Sequence, residues 1–154
     1  GMLMDCIRYP HRREATTINS TAARRAKLLT CFFRADRSKA WILRIYIMLH
    51  VTYDTAEREA IRAGQITSIT PDPDEVLRTG KGTCSDYAAL YAAMLQAVGI
   101  ESRVVRGYAI WTDRYHAWTE IYVDGEWHTV DIARDGKNPF ARFYKDPAGY
   151  RECR

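Results

Sequence analysis

The sequence has 154 residues, of which 47% are hydrophobic and 27% charged. That is the length of one domain with an ordinary globular balance, so disorder, collagen and coiled coil are excluded as the main description. The net charge of +4 hides a split: residues 1–50 carry ten basic and three acidic side chains, and the remainder carries thirteen and sixteen. So mild a total is weak evidence for nucleic-acid binding, and no nucleic-acid partner is expected.

Gly1 in front of Met2 reads as a tag remnant, with Met2 as the start. Asp5, Arg8, His11, Arg12 and Arg13 follow at once, so no secretory leader is expected. The most apolar stretch, residues 40–51, is too short to span a bilayer and Arg44 interrupts it. The expectation is a soluble, cytoplasmic protein without a membrane span. Cys6, Cys31, Cys84 and Cys153 form no CxxC pair, which argues against structural zinc. No metal or other cofactor is implied. The default is four free thiols in a reducing compartment.

Residues 1–20 read as a loosely structured basic segment. Ala22, Ala26, Leu29 and Phe33 then recur at helical spacing and predict a helix over 21–34. A second helix is expected over about 39–51, with Ser38 as its cap. A short helix over 56–63 ends at Gly64, and 66–74, with Pro71 and Pro73, reads as loop. One helical turn is expected over 74–78. The clearest helix starts near Thr83 or Cys84 and ends at Val98, before Gly99. Its apolar stripe is Tyr87, Leu90, Tyr91, Met94, Leu95 and Val98. Thr83 with Asp86 three residues later resembles a capping box.

Beyond Gly99 the period changes. Residues 102–110, 116–123 and 126–132 read as strands, and Asp124-Gly125 signals a tight hairpin. Residues 140–144 could add a short strand, and the tail after Asp146 carries no signal. Helices first and hairpin-linked strands later indicate an α+β domain.

Cys84 opens the strongest helix. A thiol there feels the positive end of the helix dipole, and the N–H groups of the first turn can bind an oxyanion. Gly80 and Gly82 ahead of it would let a substrate backbone approach. The competing reading is a small buried core cysteine. His116 opens the second strand and suits a general base, against a strand-edge histidine bonded to backbone. Asp131 closes the third. A hairpin turning at Asp124-Gly125 pairs residues symmetrically about 124.5, so His116 and Asp131 fall at one end of adjacent strands. The carboxylate can then orient the imidazole. Together Cys84, His116 and Asp131 compose a Cys–His–Asp triad.

At this point the sequence resembles a known family. Gly82-Thr83-Cys84-Ser85-Asp86-Tyr87-Ala88, Leu90, Gly99-Ile100, Val104-Val105 and Gly107-Tyr108 look like the nucleophile segment of the transglutaminase-like superfamily. His116-Ala117-Trp118-Thr119-Glu120-Ile121-Tyr122, Trp127 and Val130-Asp131 look like its His and Asp segments. The separations of 32 and 15 residues fit that pattern. The resemblance implies a papain-like core, in which N-terminal helices and the nucleophile helix pack on a small antiparallel sheet. It also implies Cys84, His116 and Asp131 as catalytic residues of one domain over 21–154.

The superfamily includes transamidases, peptidases, amide hydrolases and inactive members. No clustered Asp/Glu loop suggests calcium regulation, and the chain ends soon after the core. Both favour hydrolysis of a peptide, protein or small amide substrate over transamidation of protein glutamine, and the intact triad argues against a binding module without turnover. A homo-oligomer completing the groove is a further expectation.

Tyr53 and Gln65 are candidates for a second oxyanion donor, against packing or surface roles. Trp118 either shields the His–Asp contact or fills the core, and Trp41 and Trp127 are packing residues. His128 reads as an exposed strand residue. The basic cluster from Arg12-Arg13 to Arg24-Arg25-Lys27 either meets an acidic or phosphate-bearing partner or is a solvated helix face.

Overall fold

The computed structural model describes residues 20–65 and 70–153. Helices come first: α1 (Thr21–Thr30), α2 (Asp36–His50), α3 (Thr55–Arg62) and α4 (Pro73–Thr79). Two short strands, β1 (Thr52–Tyr53) and β2 (Lys81–Gly82), interrupt them and pair in parallel. Helix α5 (Cys84–Ala97) follows, then β3 (Ser102–Ala109), β4 (Tyr115–Val123) and β5 (Glu126–Val130). A single turn of helix, α6 (Ile132–Asp135), and strand β6 (Tyr150–Glu152) close the chain. The main sheet runs in the order β5-β4-β3-β6 with every pair antiparallel. This is the expected α+β class.

Helix α5 is the axis of the core. Residues 87–95 are all buried, so the helix is enclosed rather than amphipathic. On the helical side Tyr87, Leu90, Tyr91, Met94 and Leu95 join Ala40, Leu43 and Ile47 of α2. Buried tyrosine hydroxyls need acceptors. Tyr91 donates to the Ala40 carbonyl at 2.7 Å, and Tyr87 to the Val51 carbonyl at 2.9 Å. Toward the sheet, Ala88, Ala89 and Ala92 pack with Val104 and Ala117. Their small side chains allow a close approach, which Thr119 and Ser102 lock by donating to the Ala88 and Ala92 carbonyls at 3.0 Å. The predicted apolar stripe is therefore only the helical half of a helix covered on both sides.

The β4–β5 register follows the predicted symmetry: Thr119 pairs with Val130, and Val123 with Glu126. Positive φ at both Asp124 (53°) and Gly125 (82°) closes the turn in the geometry that matches strand twist.

Several expectations are corrected. Ser38 does not cap α2, which starts earlier with Ala35 at its cap. Pro73 is not loop but the first residue of α4, where its missing N–H costs nothing. Residues 131–135 leave the sheet, because Asp131 accepts from the Arg134 N–H and starts α6. Residues 140–144 form no strand; Lys145 alone bridges Thr129. The tail supplies edge strand β6 instead. Cys153 is disulfide-bonded, while Cys31 and Cys84 are free. The default of four free thiols fails, and with it the cysteine argument for a reducing compartment. Cys6, Arg12 and Arg13 lie outside the described residues. Among those described, no helix is long and apolar enough to cross a membrane.

A buried cationic network braces the turn after β5. Arg44 of α2 has no solvent exposure and donates through Nε to Asp135 Oδ2 at 3.0 Å. Lys145 also bonds Asp135. Burying such charges is costly unless they are paired. Here the pairing ties α6 to α2 and to residue 145.

Candidate active site

The loop ahead of Cys84 is shaped by two glycines. Gly80 ends α4 in the left-handed region (φ 68°). A Cβ on Gly82 would stand 2.5 Å from Cβ of Asp86. Both glycines therefore serve the local turn, which is a different reason from the substrate approach expected of them. Gly82 leaves room for the Asp86 carboxylate, which accepts from the Thr83 N–H at 2.8 Å and its hydroxyl at 3.3 Å. That bond satisfies a donor at the mouth of α5 and sets Cys84 as its first residue.

Strand β1 adds Tyr53. Its pairing with Gly82 brings the phenol beside the nucleophile candidate, where the Tyr53 oxygen takes the Cys84 N–H. Burial, reinforced by the nearby Cys84 charge, holds the phenol protonated. Of the two donor candidates Tyr53 reaches Cys84. Gln65 is exposed and does not line the cleft.

His116 and Asp131 meet at the open end of the β4–β5 hairpin. His116 Nε2 lies 2.9 Å from Asp131 Oδ2, with both side chains buried. The other ring nitrogen is left for Cys84, with which His116 also shares a hydrogen bond. The three sequence candidates are thus brought together in one chain of contacts.

The electrostatics follow from that chain. Burial raises the Cys84 thiol, but the His116 hydrogen bond and charge, with the Ala117 N–H, outweigh it and leave the thiol below its ordinary value. Burial lowers the His116 imidazole, but Asp131 and then Cys84 more than reverse this and push it up to about 10. Each partner thus favours the charged form of the other, a thiolate beside an imidazolium.

Two residues at Asp131 escaped sequence reasoning. Trp111 Nε1 donates to Asp131 Oδ2 at 3.1 Å, and the Tyr150 hydroxyl donates to the same oxygen at 2.9 Å. Trp111 also meets the His116 ring edge-on at 4.9 Å. Tyr150 comes from β6, in a tail without sequence signal, and Trp111 from the β3–β4 loop. Trp118 is buried against both His116 and Tyr150, so it packs behind the imidazole and fills the core at once. Trp41 and Trp127 keep about two-fifths of their surface exposed. Trp127 packs against Tyr122 and Arg103. His128 stacks on Tyr144 at 3.8 Å instead of standing free.

A cleft of about 480 Å³ opens over these residues. Tyr53, Thr83, Cys84, Ser85 and His116 line it. Helix α3 supplies one wall, and residues 111–115 another.

Comparison with known proteins agrees with this architecture. The family model of the transglutaminase-like superfamily matches residues 25–132. The chain belongs to the transglutaminase-like superfamily. Human kyphoscoliosis peptidase is 29% identical over 62% of this chain and 15% of that protein. The chicken peptide-N(4)-(N-acetyl-beta-glucosaminyl)asparagine amidase is 41% identical over 33% of this chain and 7% of that protein. A crystal structure described as a candidate cysteine protease from Cytophaga hutchinsonii superposes with a TM-score of 0.62. It shares 23% identity and covers 78% of this chain and 40% of that one. A structure described as a TGase gives 0.60 at 21% identity, over 84% of this chain and 33% of that one. The superfamily fold is thus shared, while this chain spans only a small part of the length of these curated relatives.

Proposed function

We propose that this superfamily member catalyses thiol-dependent acyl transfer on a peptide or carboxamide, with water as the usual acceptor. The observation that supports it most is His116 bonded through Nε2 to Asp131 and hydrogen-bonded to Cys84 as well. The names of the similar proteins, a peptidase and an amidase among them, support the same reaction class.

The Cys84 thiolate attacks the carbonyl carbon, and a C–S bond forms as the oxygen takes negative charge. That oxygen displaces the Tyr53 phenol from the Cys84 N–H and receives hydrogen bonds from both. His116 gives its proton to the leaving nitrogen, and the C–N bond breaks. Asp131 keeps the imidazole in position and stabilises its charged form. Water, deprotonated by His116, then attacks the thioester and frees the acid and the thiolate.

The test is a screen of peptide and amide substrates with wild type and Cys84→Ala, alongside iodoacetamide labelling. The expected result is turnover lost in the variant and labelling of Cys84 ahead of Cys31. Turnover that survives in Cys84→Ala overturns the proposal. Release of hydroxamate when hydroxylamine is added reports the competing amine acceptor.

A further inference from the structure

The cleft is more specific in charge than its nucleophile requires. Helix α3 contributes Arg58 and Arg62 to one wall, and the β3–β4 loop contributes Arg114 to the other. The resident carboxylates only partly offset them. Glu59 accepts from Arg58 Nη2 at 3.0 Å and from Arg62 Nη1 at 3.5 Å. Arg114 also helps hold the Glu59 carboxyl below its ordinary value, after Arg58 and Arg62. The cations of both walls therefore act on one region of space. Asp113 stands 3.8 Å from Arg114, and its side chain is 95% exposed.

A guanidinium carries five N–H donors, so the bonds to Glu59, and for Arg58 a further one to the Tyr53 phenol, leave others unused. Arg58 Nε is buried and has no hydrogen-bond partner among the described residues. The guanidinium lies 5.8 Å above the Tyr53 ring, next to the phenol beside Cys84. A buried donor without an acceptor is costly unless a ligand fills the need. A planar fork of this kind suits a carboxylate, which it can grip at two points.

We infer that the cleft selects peptides with an aspartate or glutamate next to the scissile amide, held by Arg58, Arg62 and Arg114. This rests on Cys84 as nucleophile and names the substrate class for that reaction. A neutral amide would leave the guanidinium donors to water, and a lysine would meet like charge from both walls.

The test needs no known substrate. Two iodoacetyl-capped tripeptides, identical except for Glu or Gln next to the electrophile, are reacted with the full chain. Alkylation of Cys84 is followed by mass spectrometry. Each rate is divided by that of free iodoacetamide on the same protein, which cancels any change in the thiol itself. The Glu probe is expected to react about tenfold faster than the Gln probe, with the preference shrinking as salt rises. In the double variant Arg62→Gln/Arg114→Gln the ratio should fall toward one. Arg58→Gln, probed separately, should also lower it. Equal rates for the two wild-type reactions overturn the inference, and so does a preference that survives the double substitution. If free iodoacetamide labels Cys84 no faster than Cys31, the nucleophile reading falls and takes this inference with it.

Discussion

The two ends of the His116 ring meet very different surroundings. At Nε2 the Asp131 carboxylate is closed in. Oδ2 accepts from Trp111 and Tyr150 and meets His116, while Oδ1 accepts from the Arg134 N–H. Asp135, four residues on, is clamped by Arg44 and Lys145. At the other nitrogen Cys84 faces an open cleft, with one phenol and one backbone N–H beside it. The first region is saturated with partners, and the second holds donors in reserve. In the proposed mechanism Asp131 only orients a base, and such a carboxylate is best held from many sides. In the same proposal Cys84 must meet a substrate, so it cannot be enclosed in the same way.

The comparison is broken most directly by removing the carboxylate. Asp131→Ala leaves the Trp111 N–H, the Tyr150 hydroxyl and the His116 ring without a shared acceptor. Each buried donor left unmet costs on the order of 1–3 kcal/mol, so a stability loss of about 3 kcal/mol or more is expected by denaturant titration. Turnover should fall roughly 10³- to 10⁴-fold. Cys84→Ala on the open side should lose turnover as completely while its stability changes by about 1 kcal/mol or less. Equal destabilisation by the two variants would erase the contrast.

The coupling between the two regions is read by pH. The Cys84 pKa is lowered, so its thiolate persists as pH falls below the usual thiol range, and iodoacetamide labelling should persist with it. In His116→Gln only the Ala117 N–H is left to oppose the burial of Cys84. Labelling at pH 7 should drop about tenfold or more, with the midpoint moved to higher pH. His116 itself has a raised pKa. The stability it contributes is therefore full below about 6.5, its unfolded value, and is lost as pH rises through about 10. The stability gap between wild type and His116→Gln, measured from pH 6 to 10, should shrink as pH rises. A gap that widens would place the charge elsewhere.

Much of this was legible in the sequence because its signals are local. Asp124-Gly125 sets the hairpin register, and that register alone carries His116 and Asp131 to one end of it. The helix start at Cys84 follows from Thr83, Asp86 and the period of the apolar residues. Tyr150 and Trp111 could not be read in this way. Tyr150 reaches Asp131 from β6, whose pairing with β3 spans more than forty residues and leaves no periodic trace over three. Trp111 acts from a loop. Arg44 lies inside an apolar run where it looks like an interruption. Its partner Asp135 is 91 residues away, so the ion pair that explains its burial is invisible to local pattern. The disulfide at Cys153 was missed for the same reason, since spacing alone does not pair cysteines.

The finest distinction is between two tyrosines, one in each region. Tyr150→Phe removes a single donor from a carboxylate that keeps its other partners. A stability loss of about 1 kcal/mol is expected, with turnover lowered several-fold to about tenfold, because Asp131 holds the imidazole less firmly. Tyr53→Phe removes a hydroxyl from the open side. In the resting protein that oxygen meets the Cys84 N–H and the Arg58 guanidinium, and the cleft lets water replace it, so stability should change by roughly 0.5 kcal/mol or less. Its cost belongs to the transition state, where the phenol would donate to the oxyanion. Turnover should therefore fall about tenfold while alkylation of Cys84 by iodoacetamide, which builds no oxyanion, stays within about twofold. Thermal unfolding, turnover and labelling rates for the two variants separate these roles. A Tyr53→Phe protein that labels as slowly as it turns over would make Tyr53 a residue that tunes the thiolate, and would move it from the oxyanion side of the chemistry to the nucleophile side.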